Sequence, residues 1–100
     1  MNEKMARLLG MCRGAGGCLC GASAVELAIK RGKCYLVLIA ADCGGSTRDK
    51  FIHLCEAAKI DYLISAGKLE LGRAVGYKEK AVVGVADKSF AAGIAACMPN

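Results

Sequence analysis

The sequence predicts one α/β domain, a sandwich with helices on both faces of a mixed sheet. Three observations carry that expectation. Segments of helical period alternate with short apolar segments along the whole chain, the pattern of a layered α/β domain. Leu36-Val37-Leu38-Ile39-Ala40 is continuously apolar, as a strand covered on both faces must be. One hundred residues with a single proline and 55% hydrophobic content suffice for one core but not two, and they argue against disorder.

The elements follow in order. Met5, Leu8, Leu9 and Cys12 recur at i, i+3, i+4 and i+7, so residues 2–13 read as an amphipathic helix with Asn2 as its N-cap. Gly14-Ala15-Gly16-Gly17 ends it, and Cys18-Leu19-Cys20 is a short strand. Ser23-Ala24-Val25-Glu26 matches the Ser-x-x-Glu capping box of a helix through Arg31 that Gly32 closes, with Val25, Ala28 and Ile29 as its buried stripe. After the apolar strand at 36–40, Ser46-Thr47-Arg48-Asp49 reads as a second capping box. The inner stripe of its helix is Phe51, Ile52, Leu54, Cys55 and Ala58. Asp61 to Ser65 is a strand, Lys68 to Val75 a helix that glycine terminates, Ala81 to Ala86 a strand, and an Ala-rich helix starts near Lys88.

Several functions are disfavoured at this level. The longest apolar run, Tyr35 to Ala41, has seven residues, against the roughly 18 of a membrane span. Gly10, Cys12 and Arg13 interrupt the Leu8-Leu9 patch, so no secretory core forms and a cytoplasmic protein is expected. The seven cysteines are odd in number and contain no Cys-x-x-Cys pair. They read as free, mostly buried thiols, with no metal site and no cofactor expected. His53 reads as solvent-facing. The glycine-rich stretch 10–17 lacks the ending of a phosphate-binding P-loop, no G-x-S-x-G elbow exists, and Ser23, Ser46 and Ser65 read as caps. Asp42, Asp61 and Asp87 each stand alone at a strand end, so no catalytic residues are assigned.

The net charge of +5 is compatible with nucleic acid, although five aromatic residues provide little stacking surface. The most informative stretch is Lys68-Leu69-Glu70-Leu71-Gly72-Arg73-Ala74-Val75-Gly76, followed by Tyr77-Lys78-Glu79-Lys80. It sets lysines beside exposed backbone where a helix ends, a shape suited to phosphate or folded RNA. Together with Arg13-Gly14-Ala15-Gly16, the Gly21 to Gly32 block and the Lys33 to Asp42 block, it resembles the kink-turn-binding ribosomal-protein superfamily, over about residues 4–96. That superfamily comprises the relatives of archaeal large-subunit protein seven-Ae and eukaryotic protein thirty-e, and the likeness is to its bacterial YlxQ-type branch.

The resemblance implies a three-layer α/β/α sandwich with a mixed sheet of four strands. It implies RNA contacts at Gly21, Ser23, Ala24 and Leu27, then at Asp42, then along Gly76, Tyr77, Lys78, Glu79 and Lys80 to Ala81. Such RNA is read by shape and by splayed bases. The chain departs from the family pattern at four places. Ser23-Ala24 replaces an Asn-Glu pair, Leu27 a lysine, Gly17 a lysine, and Cys20 a basic residue. Arg13, Arg31, Lys33, Lys78 and Lys80 remain as phosphate partners. The expected function is non-catalytic binding of structured, kink-turn-type RNA by a monomer, ribosome- or translation-associated and with no membrane partner. The alternatives are a paralogue with weakened RNA binding that serves as a protein-interaction module, with Leu27 in an exposed apolar patch, and a small enzyme or cysteine-based sensor.

Overall fold

The computed structural model describes residues 1–64 and 66–97. Helix α1 spans Glu3–Gly14, and Asn2 caps it by accepting a hydrogen bond from the Met5 amide at 2.8 Å. Then come β1 (Cys18–Cys20), α2 (Ala22–Lys30), β2 (Leu36–Ile39), α3 (Gly45–Ala58), β3 (Asp61–Ile64), α4 (Lys68–Ala74), β4 (Val82–Val85) and α5 (Lys88–Ala95). Asp87 caps α5 through the Phe90 amide at 2.9 Å. The order of elements is the expected one.

The strands lie in the order β1-β4-β2-β3. β2 runs parallel to β3, with α3 as the crossover, and β4 is antiparallel to both β1 and β2, so the sheet is mixed. α1, α4 and α5 cover one face and α2 and α3 the other, giving three layers. The central pair β2 and β4 is buried at every position, which explains their unbroken apolar sequences. Leu38 is 3% exposed and lies between Val83 and Leu63 in register. No described helix is long and apolar enough to cross a membrane.

Three local expectations need correction. α2 begins at Ala22 with Gly21 in the N-cap position, so Ser23 lies inside the first turn and makes no capping bond. The reason is Gly21, whose φ of 107° lets the chain turn from strand to helix two residues before the serine. α3 likewise begins at Gly45 behind Gly44, and Ser46 caps nothing. In that helix Phe51 and Cys55 are buried and Ile52 and Leu54 half-buried. Ala58 is exposed, because it sits in the last turn, where the chain leaves the helix through a left-handed Lys59. The third strand ends at Ile64, and the expectations for Ser65, as strand end and as cap, fall outside the described residues.

Candidate nucleic-acid interface

Three connections meet at one pole of the sheet because β1 and β2 end there and β4 begins there. The turn from β1 into α2 is held by the Gly21 amide, which donates to the Val82 carbonyl at 3.0 Å. The segment after β2 is held by the Ala40 amide on the Ala81 carbonyl at 2.8 Å, and by Ala41 on Ala66 at 2.7 Å. The loop between α4 and β4 is tied back to its own helix twice, Tyr77 amide to Gly72 carbonyl at 2.8 Å and Lys80 amide to Lys68 carbonyl at 3.1 Å.

Gly72 permits that second tie. A β-carbon there would lie 2.7 Å from the Glu79 amide nitrogen, inside contact distance of backbone that has no rotamer to escape into. The Leu-Gly-Arg sequence therefore lets Gly76 to Lys80 fold down against α4. Asp42 has a related duty. Its Oδ1 accepts from the Lys68 amide at 2.8 Å and caps α4 from across the fold, since Gly67 offers no side chain for the purpose.

The charged side chains at this pole converge on one ring. The Lys80 ammonium lies 4.4 Å from the centroid of Tyr77 and the Arg13 guanidinium 5.6 Å from it. Both are within the range of a cation–π contact. The Tyr77 phenol beside the guanidinium pushes the Arg13 pKa up, so this cation keeps its charge. Lys80 Nζ also lies 3.7 Å from where a Gly21 β-carbon would be, close over the start of α2. That helix start has no side-chain cap, and its first amides and positive dipole end face the same region. Among the described residues neither Arg13, Lys78 nor Lys80 has a carboxylate partner. The pole is thus a basic surface with one partly exposed aromatic ring and open backbone donors.

The expected residues divide into two groups. Arg13, Gly21, Ser23, Ala24, Gly76, Tyr77, Lys78, Glu79 and Lys80 lie at or beside this pole, and Asp42 borders it. Arg31 and Lys33 do not join them, for they follow the far end of α2, whose nine residues span about 13 Å. Leu27 lies between the groups, 49% exposed, while Val25, Ala28 and Ile29 take the buried stripe as expected. Sequence reasoning missed the Arg13–Tyr77–Lys80 cluster. Its members come from positions 13, 77 and 80, and no periodicity links residues so far apart.

The remaining chemistry is sparse. His53 is exposed, and no group of three or more His, Cys, Asp or Glu among the described residues is placed to hold a metal ion. All seven cysteines are free, with Cys12, Cys34, Cys43 and Cys55 buried. Burial pushes the thiol of Cys55 up to about 11 and that of Cys18 higher still, which opposes the thiolate a reactive cysteine needs.

Comparison with known proteins agrees with this architecture. The model of the ribosomal protein L7Ae/L30e/S12e/Gadd45 family matches residues 3–93. A protein of unknown function from Bacillus halodurans superposes with a TM-score of 0.91 at 33% identity, over 95% of this chain and 96% of that one. The 15.5kD RNA binding protein of Giardia lamblia has the same fold, with a TM-score of 0.82 at 23% identity over 96% of this chain and 86% of that one. A search of curated proteins returns no significant match. With a family model spanning nearly the whole chain and a solved relative that shares a third of its residues, the chain belongs to the ribosomal protein L7Ae/L30e/S12e/Gadd45 family.

Proposed function

We propose that this chain is a non-catalytic RNA-binding protein that takes structured, kink-turn-type RNA at the pole formed by Gly21, the start of α2 and the Gly76–Lys80 loop. The observation that carries the reading is the Arg13–Tyr77–Lys80 cluster set against an uncapped helix start, with no carboxylate ion-paired to its cations among the described residues. Membership in a ribosomal-protein family and the fold shared with an RNA binding protein from Giardia lamblia support it.

Phosphates are held by the cations and by the free amides of α2. Tyr77, 41% exposed, offers a ring edge or face to an unpaired base. Ser23 and Ala24 line the same helix turn with little hydrogen-bonding capacity, so shape and phosphate contacts dominate over base reading. The protein works as a monomer in the cytoplasm, in association with translation. Titration of a kinked RNA and of an unkinked duplex across a salt series tests the reading. Tighter binding of the kinked RNA is expected. Lys78→Ala with Lys80→Ala should weaken binding and flatten the log–log salt slope by about 0.7–0.9 per lost phosphate contact. Unchanged affinity in the double variant would remove this pole as the RNA site.

A further inference from the structure

The outer side of α2 carries a second feature, which starts beside the RNA pole at Ala24 and leads away from it toward Arg31 and Lys33. A groove of about 300 Å³ runs between α2 and the edge strand β1, walled by Leu19, Ala24, Leu27 and Ala86, with Arg31 and Lys33 at its end. We propose that this groove docks an extended segment of a partner protein, in which an aliphatic anchor residue is followed by Asp or Glu.

Three observations select that occupant. The walls are aliphatic and contain no aromatic ring and no neutral hydrogen-bonding side chain. A nucleobase buried there would lose water from its polar edge without replacement, whereas a leucine-like side chain loses nothing. The volume, at the low end for ligand pockets, suits an anchor residue rather than a helix. Leu27, left 49% exposed in the middle of the wall, supplies apolar surface still to be covered.

The charge selects next. Arg31 and Lys33 have no carboxylate partner among the described residues, and no acidic residue lines the groove. An occupant with carboxylates beside its anchor is complementary. A second copy of this chain in a two-fold contact would set these cations against the same cations and is disfavoured.

The backbone selects last. Among the described residues β1 pairs only with β4. Its ladder engages the flanking Gly17 carbonyl with Ala86 at 2.7 Å and the Gly21 amide with Val82 at 3.0 Å. By the alternation of an antiparallel ladder, the amides and carbonyls of Cys18 and Cys20 point to the open edge. An extended peptide can pair there while its alternate side chain enters the groove.

Selection of random displayed peptides on the intact protein, with counter-selection on Leu27→Glu, tests the proposal. Enriched sequences should combine a leucine-type anchor with neighbouring Asp or Glu. The best such peptide, made synthetically, should lose at least about tenfold in affinity with Leu27→Glu, and also with the exposed pair Arg31→Glu and Lys33→Glu. Lys78→Ala with Lys80→Ala should leave its affinity within about twofold. Circular dichroism of each variant checks folding, and the exposed charge pair decides the matter if Leu27→Glu fails to fold. Absence of enrichment, enrichment of basic or uncharged sequences, or affinity indifferent to Arg31 and Lys33 overturns the proposal. So does a kinked RNA that displaces the peptide and shifts the amide resonances of Arg31 and Lys33, which would give the groove to RNA.

Discussion

Replacing Gly72 by alanine separates two effects of opposite sign, and the structure says which wins. Gly72 lies in the last turn of α4, so alanine gains about 1 kcal/mol of helix propensity. Against this, the added β-carbon falls 2.7 Å from the amide nitrogen and 2.8 Å from the carbonyl carbon of Glu79. Backbone cannot rotate aside, so the loop must lift, at about 1–3 kcal/mol for overpacking of this kind. The net is a loss of up to about 2 kcal/mol. Gly10 in α1 is the control. Its β-carbon would meet only the Ala74 carbonyl oxygen at 3.5 Å, an ordinary contact, so Gly10→Ala should stabilise by about 0.5–1 kcal/mol. Urea denaturation by linear extrapolation measures both, and the two variants should differ by about 1–3 kcal/mol. Lifting the loop also displaces Tyr77 and Lys80, so Gly72→Ala should weaken RNA binding while Gly10→Ala leaves it unchanged. A Gly72→Ala variant as stable as Gly10→Ala would refute the close approach as the reason for glycine.

Leu38→Ala should cost about 2–5 kcal/mol by the same assay, since Leu38 is 3% exposed at the sheet centre; a cost below about 1 kcal/mol would contradict that burial. Leu27→Lys should be tolerated because Leu27 is half in solvent, and should steepen the salt slope of RNA binding by about 0.7–0.9; unfolding, or an unchanged slope, would detach Leu27 from the RNA face. The Cys55 thiol, raised by burial from 9.0 to about 11, keeps its proton in the folded state after the unfolded chain has lost it. The unfolded state then binds fewer protons, so stability should fall as pH rises from 9 toward 11, and the fall should be shallower in Cys55→Ala than in the starting protein.

The elements were legible where one local rule decided them. Leu36 to Ile39 had to be a doubly covered strand because no amphipathic alternative fits four apolar residues in a row, and it is buried throughout. Asn2 reads as a cap and acts as one, whereas Asp87, read only as a lone carboxylate at a strand end, caps α5. The two serine capping boxes were misleading for a shared reason. The Ser-x-x-acid spacing describes what a serine can do if the helix starts there, and Gly21 and Gly44 start the helices earlier. The candidate site was legible as a set of residue types but not as a place. Arg13 and Lys80 are brought to one ring by the docking of α1 and of the last loop. Arg31 and Lys33, nearer to Gly21 in sequence than Lys80 is, are carried away from it by the length of a helix.

Asp42 shows how shape and binding are joined at this pole. The resemblance implied an RNA contact there, and the structure gives its Oδ1 to the Lys68 amide. That bond fixes the start of α4, the helix whose Gly72 receives the loop bearing Tyr77 and Lys80. One carboxylate after β2 thus sets the position of cations nearly forty residues further along the chain. A carboxylate facing phosphate is unfavourable by charge, whereas one already engaged by a backbone amide presents only its second oxygen to an incoming base donor. Loss of RNA binding on removing Asp42 would therefore report the lost cap as much as a lost contact. Lys80, whose amide rather than ammonium ties the loop to α4, is the residue whose truncation tests the cation and its contact with Tyr77 while leaving that backbone tie in place.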